Sequence, residues 1–355
     1  MHMQRRMYDR FDGYEELKPL LEGSDEEILA RFGGKPVLIR IPATSTKVPP
    51  KARFVSCLLH GNEPSGFQAM AEVLRQGERF PFDLWVLIGN VRAATERGLY
   101  ADRHLDDQQD FNRVWGVDDP TTEMEQCAAA ILGELGDADL EAAVDIHNNS
   151  ARNPFYAILT ELTAAGRQLA SLCADTVLFW RLHAHTLMEA LAPRCPAVSV
   201  ECGAPHGDGT EFAADVVHRF LSAEGFTGAG VSASAEDPAA GSMLATRDRI
   251  TVRPEIEFSF GIELAAGDDL AIAPDLDLYN FKALPALTTI GRTAPGASMP
   301  LCATDMRGHD VTDRLFRITD DGRVIVIDDV VPLMMTTTVV QTRRDCLFYT
   351  AGRAS

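Results

Sequence analysis

The stretch ARFVSCLLHGNEPSGFQAMAEVLRQG, residues 52–77, changes its period halfway along. Its opening ARFVSCLL (52–59) is a short β-type run. Its later part places Phe67, Met70 and Leu74 at helical spacing and closes on Gly77. Between the two lies a turn-rich patch that carries His60 and Glu63. The same strand-then-helix grammar recurs downstream. DLWVLIGN (83–90), EAAVDIHN (141–148), NPFYAIL (153–159) and PAVSVE (196–201) read as strands. TEMEQCAAAILGELG (122–136), TELTAAGRQLASLCAD (160–175) and TEFAADVVHRFLSAEG (210–225) read as helices. Asp208 and Glu211 have the spacing of a capping box at the last of these. Strands alternating with helices imply an α/β layer structure around a largely parallel or mixed sheet.

The flanks differ. Residues 1–48 are charged and mixed and read as an N-terminal extension, with a short helix at DEEILARFG (25–33). The α/β domain is expected over 49–228. The small, polar run GAGVSASAEDPAAGS (228–242) supplies a linker over 229–242. A β-rich C-terminal domain is expected over 243–355. There RITVRPEIEFSFGIEL, MPLCATD, VPLMMTTTVVQT and DCLFYTA read as β-segments, and RLFRITDDGRVIVID as a hairpin turning at Asp321-Gly322.

Hydrophobic residues make up 46% of the chain and charged residues 24%, enough apolar content for a sizeable core. A formal net charge of -19 argues against nucleic-acid and anionic-membrane partners and leaves a small molecule as the expected one. The seven cysteines form no CxxC pair and read as reduced thiols. With no signal-type apolar segment and no membrane-length apolar run, a cytoplasmic location is expected. The oligomeric state stays open, a homo-oligomer being allowed.

His60 and Glu63 follow a strand and begin a helix, and open α/β sheets place their sites beyond the carboxyl ends of strands. His147, at the end of another predicted strand, is the candidate third ligand. Two histidines and a glutamate are the protein ligand set of a hydrolytic zinc site, with the fourth position left for water. Asp145 shares a strand face with His147, from which a carboxylate accepts the second ring N–H of a ligand histidine. The alternative is a strand-end carboxylate in water. Glu201 ends PAVSVE before a Gly-rich loop, the right place for a proton shuttle. The loop RHLDDQQDFNRVW (103–115) offers Asn112 and Arg113 to read a carboxylate, and Arg103 to hold an oxyanion. Other candidates have plainer readings. His183 and His185 read as a surface pair, His206 as a loop or pocket residue, and His309 as part of a turn. Cys202 reads as a small buried hydrophobe. Asp106, Asp107 and Asp110 read as a solvated acidic loop, because they lack the calcium-loop spacing.

HGNEPSG, DFNR, DIHNNS and SVECG, in that order over residues 50–215, resemble the succinylglutamate desuccinylase/aspartoacylase family of zinc hydrolases. The resemblance implies a three-layer α/β/α zinc-carboxypeptidase-like domain with a mixed central sheet, plus a smaller β-rich C-terminal domain. It implies one zinc ion per chain on His60, Glu63 and His147, with Glu201 as general base. It further implies a substrate carboxylate on Asn112 and Arg113, and matches Arg103 to the family's upstream arginine. The arginine that aspartoacylases carry shortly before their catalytic glutamate has no aligned counterpart, Arg194 being nearest. The expected activity is hydrolysis of an N-acyl amino acid or a related small carboxylate-bearing amide. The alternatives are a carboxypeptidase acting on short peptides and a non-catalytic, metal-stabilised binding protein.

Overall fold

A computed structural model describes residues 7–46, 49–149, 151–205, 207–228 and 243–353. The expected linker over 229–242 and His206 fall outside these residues. The chain divides into two units: Met1–Asn149, Phe155–Val177 and His183–Gly241 in the first, Ser150–Pro154, Leu178–Leu182 and Ser242–Ser355 in the second.

The strands of the first unit are β1 (Asp9–Asp12), β2 (Val37–Ile41), β3 (Lys51–Cys57), β4 (Asp83–Ile88), β5 (Asp139–His147) and β6 (Tyr156–Leu159). They are followed by β7 (Thr176–Phe179), which straddles the division, and β8 (Ala197–Glu201). The first seven places in the sheet run β1-β2-β4-β3-β5-β8-β6. The centre, β4-β3-β5-β8, is parallel, whereas β2 on β4 and β6 on β8 are antiparallel, so the sheet is mixed. Parallel strands covered on both faces are apolar throughout, and every residue of DLWVLI in β4 is buried. The segment before residue 49 supplies β1 and β2 and helix Asp25–Arg31, whose start carries the Ser24–Glu27 capping box.

Helices cover both faces. On one face, Ile131 and Leu135 of helix Glu123–Gly136 and Leu187 and Leu191 of helix Leu187–Leu191 pack on Phe54, Ala143 and Ala197. On the other, helix Ser65–Gln76 approaches so closely that a Cβ on Gly66 would lie 2.8 Å from the Cβ of Ile146 and 2.9 Å from that of Cys57. This helix packs against helix Asp208–Ser222. The latter begins earlier than its periodicity suggested. Gly207 is the N-cap, with no side-chain capping bond, and Asp208 lies inside the first turn. There its carboxylate faces the positive end of the helix dipole rather than capping it.

In the second unit, β9 (Leu244–Val252) pairs antiparallel with β13 (Leu301–Asp305) and β17 (Phe348–Arg353). On the far side of β17 lies β16 (Val331–Leu333). A second sheet runs β10-β11-β12-β15-β14, from Phe258–Phe260, Leu270–Ile272, Thr289–Arg292, Arg323–Val326 and Phe316–Ile318 respectively. The expected hairpin joins β14 to β15, with Gly322 at φ 79° in its turn. TTTVVQT departs from the β reading. The Thr338 side chain accepts the Gln341 N–H and so starts helix Val339–Arg344, a local cap overriding β-branched propensity.

Candidate metal centre

The centre is built where β3, β5 and β8 end. After β3 the backbone turns through Leu58 at φ 56°, and the Glu63 N–H donates to the His60 carbonyl at 3.2 Å. Gly61 is required inside this turn. A Cβ there would lie 2.5 Å from the Ala94 nitrogen and 2.7 Å from the Asp102 carbonyl oxygen. The tight turn aims both side chains the same way, and His60 Nδ1 lies 2.9 Å from Glu63 Oε1. His147, the last residue of β5, brings its Nδ1 to 2.7 Å from Glu63 Oε2. One donor atom from each of His60, Glu63 and His147 lies within 4.8 Å of the others, and all three residues are buried. Among the described residues, this is the one His/Cys/Asp/Glu group able to hold a metal ion.

The far ring nitrogens test the fit. His147 Nε2 lies 2.6 Å from Asp145 Oδ2, and His60 Nε2 lies 3.0 Å from Asp110 Oδ1. Each ring therefore has a carboxylate at both nitrogens. A neutral imidazole has a single N–H. If Nε2–H donates to the aspartate, Nδ1 is left as a lone pair facing Glu63 and the other ring's Nδ1. Two such lone pairs and a carboxylate converging on one point suit a divalent cation, with each histidine fixed from behind by an acid. The surrounding carboxylates favour positive charge at this point, whether carried as protons on the rings or by a cation. Burial opposes ionisation of Glu63, but His60 and His147 hold its carboxyl well below the usual range. Burial would lower the His147 imidazole, yet Asp145 and Glu63 outweigh it and hold it well above the usual range.

Asp110, expected with Asp106 and Asp107 to be part of a solvated acidic loop, is instead a part-buried hub of the site. Besides His60, its carboxylate accepts from Arg103 Nη2 at 3.0 Å and from the Asn112 N–H at 2.8 Å. Burial opposes its ionisation, but His60 and Arg103 hold its carboxyl far below the usual range. Arg103 spans the gap to the ligands, with Nη1 3.2 Å from Glu63 Oε1. Asn112 is buried, with its amide lodged between His147 and Leu187. Its Nδ2 lies 3.2 Å from His147 Nε2, and its Oδ1 accepts the Leu187 N–H at 2.9 Å. Arg113 is exposed, with Nη1 donating to the Asn112 carbonyl.

Glu201 stands beside this group. It ends β8 directly opposite His147 in the ladder, and its Oε2 accepts from Asn149 Nδ2 at 3.3 Å. Loss of solvent pushes its carboxyl up to about 7, with His147 pulling the other way.

No protein-family model matches the sequence, and no curated protein does. Solved structures do. A succinylglutamate desuccinylase from Vibrio parahaemolyticus matches over 90% of this chain and 86% of that one, at 12% identity and a TM-score of 0.55. A succinylglutamate desuccinylase/aspartoacylase from Rhodobacter sphaeroides matches over 89% and 88%, at 16% identity and a TM-score of 0.57. The fold is that of the succinylglutamate desuccinylases and aspartoacylases. Murine aminoacylase 3 shares it over 87% of this chain and 97% of that one, at 14% identity and a TM-score of 0.50.

The remaining sequence candidates are not members of the His60–Glu63–His147 group. His183 Nδ1 lies 3.3 Å from Glu189, and His185 Nδ1 lies 3.3 Å from the Trp115 carbonyl. His309 is an exposed residue beside Asp305. Cys202 is buried, and burial pushes its thiol well above the usual range. Asp106 and Asp107 pair with Arg97 and Arg92 at the surface. Arg194 donates to the carbonyls of Leu135, Gly136 and Ala138 at the end of helix Glu123–Gly136. No helix among the described residues is long and apolar enough to cross a membrane.

Proposed function

We propose that this protein is a zinc-dependent amidohydrolase acting on an N-acyl amino acid or a related small amide that bears a carboxylate. The observation that carries the reading is the placement of Glu201. A half-buried carboxylate with no ion-pair partner among the described residues stands one strand from a three-ligand site. A purely structural metal site has no use for such a group. His60, Glu63 and His147 hold the ion, and Asp110 and Asp145 fix the two rings. When bound, zinc supplies a Lewis acid toward water and the amide carbonyl. Glu201 removes a proton from the water as it adds to the carbonyl carbon, and passes it to the departing nitrogen. Arg103, braced by Asp110, donates to the carbonyl oxygen as negative charge develops there. Arg113 anchors the substrate carboxylate. Asn112 fixes the loop from which it does so, its amide oxygen accepting the Leu187 N–H.

The test is metal analysis of protein purified without chelators, followed by assay on N-acyl amino acids and on dipeptides. The expected result is one zinc per chain and release of the free amino acid from an N-acyl substrate. Absence of stoichiometric metal overturns the reading. Cleavage of dipeptides alone replaces it with a carboxypeptidase.

A further inference from the structure

The three acids that open helix Asp25–Arg31 are not alike. Glu26 and Glu27 are exposed, whereas Asp25 is part-buried. Its Oδ2 accepts from Gln68 Nε2 and from the Tyr100 hydroxyl, both at 2.9 Å. Gln68 belongs to helix Ser65–Gln76, and its own Oε1 accepts the Thr210 hydroxyl at 3.1 Å. That side of Asp25 is therefore tied to a rigid element. Tyr100 belongs to no element. It lies on the irregular segment after helix Val91–Thr95, three residues before Arg103. Its backbone is left-handed, at φ 59°. A residue with a side chain keeps that conformation only where its surroundings hold it. The Tyr100 N–H donates to the Ala94 carbonyl at 2.7 Å, and its hydroxyl to Asp25. Further along, the same segment meets the ligand turn without slack. The Gly61 N–H donates to the Arg103 carbonyl at 2.9 Å, and a Cβ on Gly61 would lie 2.7 Å from the Asp102 carbonyl oxygen.

We propose that Asp25 is a positioning residue for Arg103: the N-terminal segment supplies the acceptor that pins Tyr100, and with it the loop that presents the arginine to the reacting carbonyl oxygen. This rests on the amidohydrolase reading, in which Arg103 holds the oxyanion. The guanidinium is aimed by Asp110 and Glu63. Asp110 lies on the same irregular segment, so that pair can shift as a unit. A group that must meet a developing charge within a fraction of an ångström needs its backbone fixed as well. Asp25 does this from behind the loop, and the Gly61 N–H from in front. Among DEE at the start of a helix, Asp25 reads as one more acid facing the helix dipole. Its partner Tyr100 is 75 positions away.

The test compares wild type with Asp25→Ala and with Tyr100→Phe, which keeps the ring and removes the hydroxyl. Misplacing a catalytic group by about 1 Å can cost about 100-fold. A loss of about tenfold in kcat is expected of each variant, with KM within about twofold and zinc content unchanged. Asp25→Asn keeps an oxygen that accepts from both donors and should return kcat to within about twofold of wild type. Ser24→Ala uncaps the same helix, removes neither bond to Asp25, and should lower Tm without moving kcat. In an Arg103→Ala background, Asp25→Ala should cost nothing further, because it acts through the arginine. An independent readout is amide hydrogen exchange at Gly61 and across 100–103. It should quicken in Asp25→Ala and Tyr100→Phe and not in Ser24→Ala, in zinc-free and zinc-loaded protein alike. Unchanged exchange in Tyr100→Phe overturns the proposal whatever the activity. So does a wild-type kcat in that variant, an equal kcat loss in Ser24→Ala, or the same loss from Asp25→Ala with and without Arg103. A wild type that cleaves no N-acyl amino acid overturns the proposed activity instead, and the exchange still decides whether Asp25 braces this loop.

Discussion

His60 and His147 are held from behind in different ways. His147 takes Asp145 from its own strand, where alternation alone puts both on one face. Ser56 on the neighbouring strand donates to the other oxygen of Asp145 at 2.7 Å. His60 takes Asp110 from a loop 50 positions away. That acid also holds Arg103 and the Asn112 N–H. The strand-borne half of the site is positioned by the backbone ladder and needs few side-chain bonds. The loop-borne half has no ladder and is held by charge, so Asp110 does several jobs at once.

The comparison breaks most visibly on removing the metal. Chelation should abolish amide hydrolysis, and added zinc should restore it. Hydrogen exchange should rise in 58–64 and 103–113 and stay slow in 141–147, because the ladder of β5 survives without the ion. Equal loosening of both segments would erase the distinction. Next in size is a pair of substitutions. Asp145→Asn should lower zinc affinity by about 10–100-fold, with kcat of the loaded protein nearly unchanged. Asp110→Asn should cost a similar factor in affinity and also lower kcat, since Arg103 loses its brace. Equal kcat for the two loaded variants would show that Arg103 does not act on the reacting oxygen.

A smaller effect concerns pH. Loss of solvent pushes the Glu201 carboxyl up to about 7, and a nearby cation opposes that shift. The base acts when ionised, so kcat/KM should fall as pH falls, with the acid limb at or below about pH 7. A limb well above that value would point to another base. The smallest effect is a control outside the site. Arg194→Ala removes donors to the carbonyls ending helix Glu123–Gly136 and should cost about 1 kcal/mol of stability while leaving kcat/KM intact. A changed KM would bring that arginine into substrate binding.

What could be read in advance follows the same division. His147 and Asp145 share a strand face, and His60 and Glu63 share one turn, so short-range geometry brings each pair together. Glu201 was legible as a strand-end carboxylate before a glycine-rich loop. Asp110 was not, because an acid among other acids in a loop has no period, and its meaning comes from a fold-back of 50 positions. β1 was missed because DRFD alternates weakly, whereas β2, VLIRI, is an apolar run that the sequence does display. Val339–Arg344 was misread because a single threonine cap outweighed the β-branched run before it.

The most direct measurement is kcat and bound zinc on one preparation of Glu201→Gln, which keeps the shape of the side chain and removes its basicity. The account predicts a fall in kcat of about 10²–10⁴-fold or more, with one zinc per chain still bound and Tm unchanged. Full turnover in a zinc-loaded Glu201→Gln protein would contradict it.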